Sequence, residues 1–123
     1  MKYGMNLLLW TDDPCDESHL PLYGRLKEMG FDGVELPIFS GEPSDYRRLG
    51  GQLRDLGLEC TAITVRDAES DPIHQDPAVR SRALDATRHA IDCAAAAGSP
   101  LLGGPLYAAI GVFSGTPPTD QEW

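Results

Sequence analysis

The feature that most constrains this chain is a junction that occurs three times. Three helical segments each end in a glycine and run straight into an apolar stretch: KEMG-FDGVELPIF, RDLG-LECTAITV and AAAG-SPLLGGPL. Gly30, Gly57 and Gly98 stand where a helix closes with one left-handed residue, a conformation that costs glycine least. A helix handed directly to a strand, several times over, implies a parallel sheet with right-handed crossovers.

The first strand is expected over Tyr3–Trp10, where Leu7-Leu8-Leu9 suggests burial on both faces. A helix over His19–Met29 places Leu22, Leu26 and Met29 at helical spacing, with Tyr23 beside them. The second strand is Gly33–Ile38. A second helix, Asp45–Leu56, has Ser44 as its expected N-cap and an apolar stripe of Tyr46, Leu49, Leu53 and Leu56. Gly50-Gly51 weakens it by about 1 kcal/mol per glycine relative to alanine. The third strand is Glu59–Val65. The third helix opens with Asp76 as N-cap and Pro77 in the first position. Its buried face is Val79, Ala83, Ala86, Ala90, Ala94 and Ala97. The fourth strand is Pro100–Gly104, and Thr119–Trp123 looks like the opening of a fourth helix. The order βαβαβαβ suits a small open sheet or the first half of a barrel. The ending at a helix start favours the barrel, whose complete form needs about 250 residues against the 123 present. The expected fold class is therefore α/β, the N-terminal half of a parallel (β/α)8 TIM barrel, with residues 1–123 as one truncated domain.

The net charge of −9, without a block of like charges, argues against nucleic acid as partner. Cys15, Cys60 and Cys93 are scattered and odd in number, which suits a reducing cytoplasm better than a disulfide framework. The apolar run near the N-terminus is too short for a signal core or a membrane span.

The segments MKYGMNLLLWTD, GFDGVELPIF, DLGLECTAITV and AAAAGSPLLGGPLYAAIGVFSG resemble the sugar phosphate isomerase/epimerase family, the xylose-isomerase-like barrels. Within it they are most similar to the ketose 3-epimerases of the D-tagatose and D-psicose type. The resemblance implies a divalent metal (Mn2+, Mg2+ or Co2+) held by two glutamates, an aspartate and a histidine at later strand ends. It implies that the two glutamates exchange protons with the sugar carbon. None of those positions falls within residues 1–123. No metal ligand or catalytic residue is therefore expected in this chain.

In a parallel barrel the strand ends and the loops that follow them form the active face. This singles out Asn6, Trp10, Glu35, Thr64, Arg66 and Gly103–Tyr107. Trp10 reads as an aromatic wall against a sugar or as a packing residue capping the barrel. Asn6 is in register to point into the barrel, as a substrate contact or a buried structural amide. By resemblance, ketose epimerases often carry an aromatic residue at that position. Glu35 is an acid in an apolar strand, and burial is costly unless it is hydrogen-bonded. It reads as a group that orients a sugar hydroxyl or as a structural one. Arg66 with Asp67 could meet a sugar phosphate or form a solvated loop pair. Gly103 and Gly104 allow close approach to a ligand or simply a tight strand exit. By resemblance, Gly104, Pro105 and Tyr107 border the substrate, with Ile110 or Phe113 where an epimerase tryptophan often stands. No G-x-G-x-x-G fingerprint, G-x-S-x-G elbow or Cys-His arrangement is visible.

Three readings compete. The first is a metal-dependent isomerase or epimerase that removes a proton beside a carbonyl, acting on a sugar or sugar phosphate, with this piece inactive alone. The second is the apurinic-site endonuclease branch. That branch needs zinc-binding histidines at strand ends, where this chain has Thr64-Val65-Arg66 and Gly104-Pro105-Leu106. The third is a non-catalytic half-barrel or assembly module, self-associating through its exposed strand edges.

Overall fold

The computed structural model describes residues 1–113 together with Gly115, Pro117 and Asp120. Four strands form one sheet in the order β1 (Gly4–Asn6), β2 (Gly33–Pro37), β3 (Glu59–Ile63) and β4 (Leu102–Gly103), and every neighbouring pair is parallel. Helices α1 (Leu20–Glu28), α2 (Pro43–Asp55) and α3 (Pro77–Ala97) connect them. The three junction glycines all take positive φ (91°, 71° and 82° at Gly30, Gly57 and Gly98). The expected α/β alternation and parallel order are both present. The fourth-helix start expected at Thr119–Trp123 lies outside the described residues, Asp120 apart.

One side of the sheet packs on the helices. Val34, Leu36 and Ala62 meet Tyr23 and Leu26 of α1, Tyr46, Leu49 and Leu53 of α2, and Ala90, Cys93, Ala94 and Ala97 of α3 in one buried cluster. Each large side chain sealed there contributes about 1.5–3 kcal/mol. The two buried tyrosines place their hydroxyls on loop carbonyls. Tyr23 donates to Pro14 O at 2.6 Å, and Tyr46 lies 3.2 Å from Pro37 O and 3.0 Å from Ser40 O. Each hydroxyl is thereby satisfied, and the loop after β1 or β2 is tied to the helix that follows it.

Close contact between α2 and α3 depends on Gly50. A Cβ there would fall 2.1 Å from Ala97 O, so the residue that weakens the helix in isolation is what lets the two backbones meet. The alanine face of α3 serves the same contact: Val79, Ala83, Ala90, Ala94 and Ala97 are buried, and Ala86 is half-buried.

Several boundaries differ from the sequence reading. The first strand stops at Asn6, and Leu7–Leu9 form a 3-10 turn. The Asn6 side chain accepts from Leu8 N at 2.8 Å and so opens that turn. Leu7 is fully buried, but Leu8 and Leu9 are exposed rather than buried on both faces. Trp10 therefore closes a turn, not a strand. The first helix begins after a 3-10 turn at Glu17–His19 capped by Asp16, and Met29 is exposed beyond its end. The second helix starts two residues early, at Pro43. Its N-cap is Glu42 rather than Ser44, with the Asp45 side chain accepting from Glu42 N at 3.1 Å. Asp76 caps α3 as expected, accepting from Ala78 N at 2.8 Å. The third strand ends at Ile63 instead of Val65. The fourth is cut to two residues because Pro100 has no N–H for a ladder and Gly104 turns the chain at φ 117°.

Candidate functional site

The sheet's other side is built by alternation. Val34 and Leu36 belong to the helix-packed core, so Glu35 between them faces away from the helices. Asn6, Glu35 and Thr61 are aligned across β1, β2 and β3, and Pro37, Ile63 and Gly103 are aligned one layer nearer the strand ends. All except buried Pro37 are half-buried.

Asn6 Nδ2 donates to Glu35 Oε2 at 2.6 Å while its Oδ1 accepts from Leu8 N. One side chain thus ends β1 and holds the carboxylate. Among the described residues, Glu35 Oε1 and the Thr61 hydroxyl make no hydrogen bond, which leaves an acceptor and a donor-acceptor side by side on a parallel sheet. Such a row can bind hydroxyl groups. It offers only one carboxylate, and two-carboxylate proton exchange cannot be performed by it alone. Sequence reasoning missed Thr61. Its alternation with Cys60 and Ala62 in ECTAI was the available signal, but only the register places it beside Glu35.

The other expected residues are distributed differently. Trp10 is about half exposed (48%) on the loop after β1. A Cβ on Gly104 would sit 2.0 Å from Thr64 O, so that glycine is required by the approach of one strand exit to the next. Pro105 is half-buried and Tyr107 is 79% exposed on the following loop. Arg66 makes no hydrogen bond to the Asn6–Glu35 pair. It is buried, its Nη2 donates to Thr64 Oγ1 at 3.0 Å, and Thr64 Oγ1 donates to Ile38 O at 2.6 Å. It is thus not the solvated loop residue of the bland sequence reading. Burial holds its guanidinium below the ordinary arginine range, partly opposed by the Asp67 charge.

Within α3 one cysteine and one histidine do touch. Cys93 Sγ lies 3.6 Å from His89 Nε2, one helical turn away, and that nitrogen also meets Gly41 O at 2.9 Å. Burial pushes the Cys93 thiol up to about 11, so it is a packed thiol and not a nucleophile. Among the described residues, no group of three or more His, Cys, Asp or Glu side chains could hold a metal ion. No helix among them is long and apolar enough to cross a membrane.

Known proteins similar to this chain include sugar epimerases. A ketose 3-epimerase of Arthrobacter globiformis is 28% identical over 110 residues, 89% of this chain and 38% of that protein. An L-ribulose 3-epimerase of Methylomonas sp. (strain DH-1) is 25% identical over 122 residues, 99% of this chain and 42% of its own length. The chain thus spans about two fifths of the curated relatives it matches. Among solved structures, an L-ribulose 3-epimerase superposes with a TM-score of 0.83 at 26% identity, over 98% of this chain and 41% of that one. The D-allulose 3-epimerase of Methylomonas sp. in complex with D-allulose gives 0.83 at 24% identity, over 99% and 42%. The described fold matches the N-terminal part of these barrels. The xylose isomerase-like TIM barrel family matches residues 24–122, and the chain belongs to that family.

Proposed function

We propose that residues 1–123 form the first four strand-helix steps of a metal-dependent sugar epimerase, a single partial domain that is inactive by itself. The observation that carries this reading is the polar row Asn6–Glu35–Thr61 on the face turned away from the helices, in a chain whose relatives include a ketose 3-epimerase. In this role Glu35 Oε1 and the Thr61 hydroxyl hold sugar hydroxyls, Asn6 orients Glu35, and Trp10 offers its ring to an apolar sugar face. Gly104, Pro105 and Tyr107 border the ligand from the fourth strand exit. The proton removed beside the carbonyl goes to groups on later strands. The described residues do not fit a divalent ion, so Mn2+, Mg2+ or Co2+ would also be held there. The substrate is a free or phosphorylated sugar, and the compartment is the cytoplasm.

The test is a ketose epimerisation assay with added Mn2+ or Co2+, run on this chain and on the longer polypeptide of its reading frame. The chain alone shows no turnover, and the longer polypeptide shows turnover that chelator removes. A folded longer polypeptide inert toward ketoses would overturn the proposal, as would turnover by this chain alone.

A second reading, an assembly module, is favoured by the sheet margins. Among the described residues β1 and β4 each have a neighbour on one side only. Unpaired edges invite another chain. Sedimentation at tens of micromolar would then show association, and a clean, cooperatively folded monomer would exclude it.

A further inference from the structure

A cavity of about 610 Å3, whose lining includes none of Asn6, Glu35 and Thr61, lies between the ends of β2 and β3 and the helix α3. Its lining includes Ile38, Thr64, Arg66, Arg82 and His89. We infer that this cavity seats one small oxyanion, the phosphate monoester or carboxylate end of a ligand, on Arg66 with Arg82 and His89 beside it.

Arg66 carries the argument. It is 5% exposed, and its Nε has no hydrogen-bond partner. Only Nη2 is engaged, by a neutral hydroxyl, and none of the described ion pairs includes Arg66. The Asp67 charge acts on it without forming an ion pair, and a buried cation left unpaired is costly. The residue is also fixed in place: its backbone oxygen accepts from Ile110 N at 2.9 Å, and Thr64 is itself anchored on Ile38 O. Nη1 has no bond among the described residues and is the donor an anion would meet.

The neighbours fit the same ligand. Arg82 Nε donates to Glu69 O at 3.0 Å, which positions the side chain and leaves both Nη groups free among the described residues. His89 is held by Gly41 O. Asp12, Asp67 and Glu69 also line the cavity. The Asp67 carboxylate is occupied by Ser70 Oγ and by the N–H groups of Glu69 and Ser70. With three acids and two guanidiniums the lining as a whole opposes a polyanion such as nucleic acid, so the attraction is confined to the unpaired donors of Arg66 and Arg82.

Titration of the chain with inorganic phosphate at constant ionic strength, with chloride as control, tests this site without requiring turnover. Its outcome is therefore independent of the epimerase reading. Two-dimensional 15N NMR would follow the Arg66 Nε–H and the amides of Thr64 and Ala86. A saturable shift confined to these groups is expected, and phosphate against acetate tells a phosphoryl end from a carboxylate end. Arg66→Gln should abolish saturation. Because burial makes that variant prone to unfold, exposed Arg82→Gln provides the second arm. Losing one charge-assisted bond there weakens binding by roughly tenfold. Shifts that stay linear to tens of millimolar for both anions, or a folded Arg82→Gln that binds as the native chain does, would overturn the inference.

Discussion

Two adjacent glycines in α2 should respond to alanine in opposite directions. At Gly51 a Cβ would meet nothing closer than Arg54 Nη2 at 3.9 Å. Gly51→Ala therefore gains helix propensity alone and stabilises the fold by about 0.5–1 kcal/mol. At Gly50 the same Cβ would lie 2.1 Å from Ala97 O, 2.7 Å from its carbonyl carbon and 2.9 Å from its Cα. These are backbone atoms at the end of α3, and no side-chain rotamer can relieve the overlap. The helices must separate, and overpacking of this kind costs about 1–3 kcal/mol or more. Set against the propensity gain, Gly50→Ala should destabilise by roughly 1–2 kcal/mol net. Urea unfolding followed by circular dichroism, with equal slopes for the three proteins, reads both changes as midpoint shifts of opposite sign. A Gly50→Ala midpoint at or above that of the native chain would refute the claimed contact between α2 and α3.

Asp76→Ala removes the side chain that accepts from Ala78 N and should cost about 1 kcal/mol by the same unfolding measurement. Asn6→Leu deletes both the bond to Glu35 and the cap on Leu8. It should destabilise by about 1–2 kcal/mol, and in the longer polypeptide it should raise KM for a sugar more than it lowers kcat. Burial raises the thiols of Cys93 and Cys15 to about 11 and about 12 from an ordinary 9.0. Native alkylation at pH 8 should thus be slow and should become fast on unfolding. The sign for stability follows from the same shifts: folding favours the neutral thiols, so their contribution is complete below pH 9 and is lost as pH rises through 11 to 12.

Local chemistry was enough to read where the helices stop. Gly30, Gly57 and Gly98 mark caps whose requirement for positive φ is met within a few residues, and the Asp76-Pro77 start is equally local. Leu7-Leu8-Leu9 misled because an apolar run suggests a strand, while one amide oxygen on Asn6 converts it into a turn. Gly50 and Gly51 look identical in sequence and differ only in what stands opposite, which is a tertiary fact. The candidate surface was half legible for the same reason. Asn6 and Glu35 stand out by type in their strands, but Thr61 joins them only through register. Arg66 was noticed as a cation after a strand, whereas its burial depends on Thr64 and on a loop about forty residues later. Arg82 and His89 carry no local mark at all, since α3 brings them to the cavity from another part of the chain.

The central claim is that four strands run side by side in one direction, in chain order. Nuclear Overhauser contacts across the sheet in the labelled protein test it most directly. The account predicts parallel-type Hα-to-amide contacts around Gly4–Gly33, Val34–Cys60 and Ala62–Leu102. Close Hα–Hα pairs between any two of these strands, or β4 paired elsewhere than with β3, would contradict it.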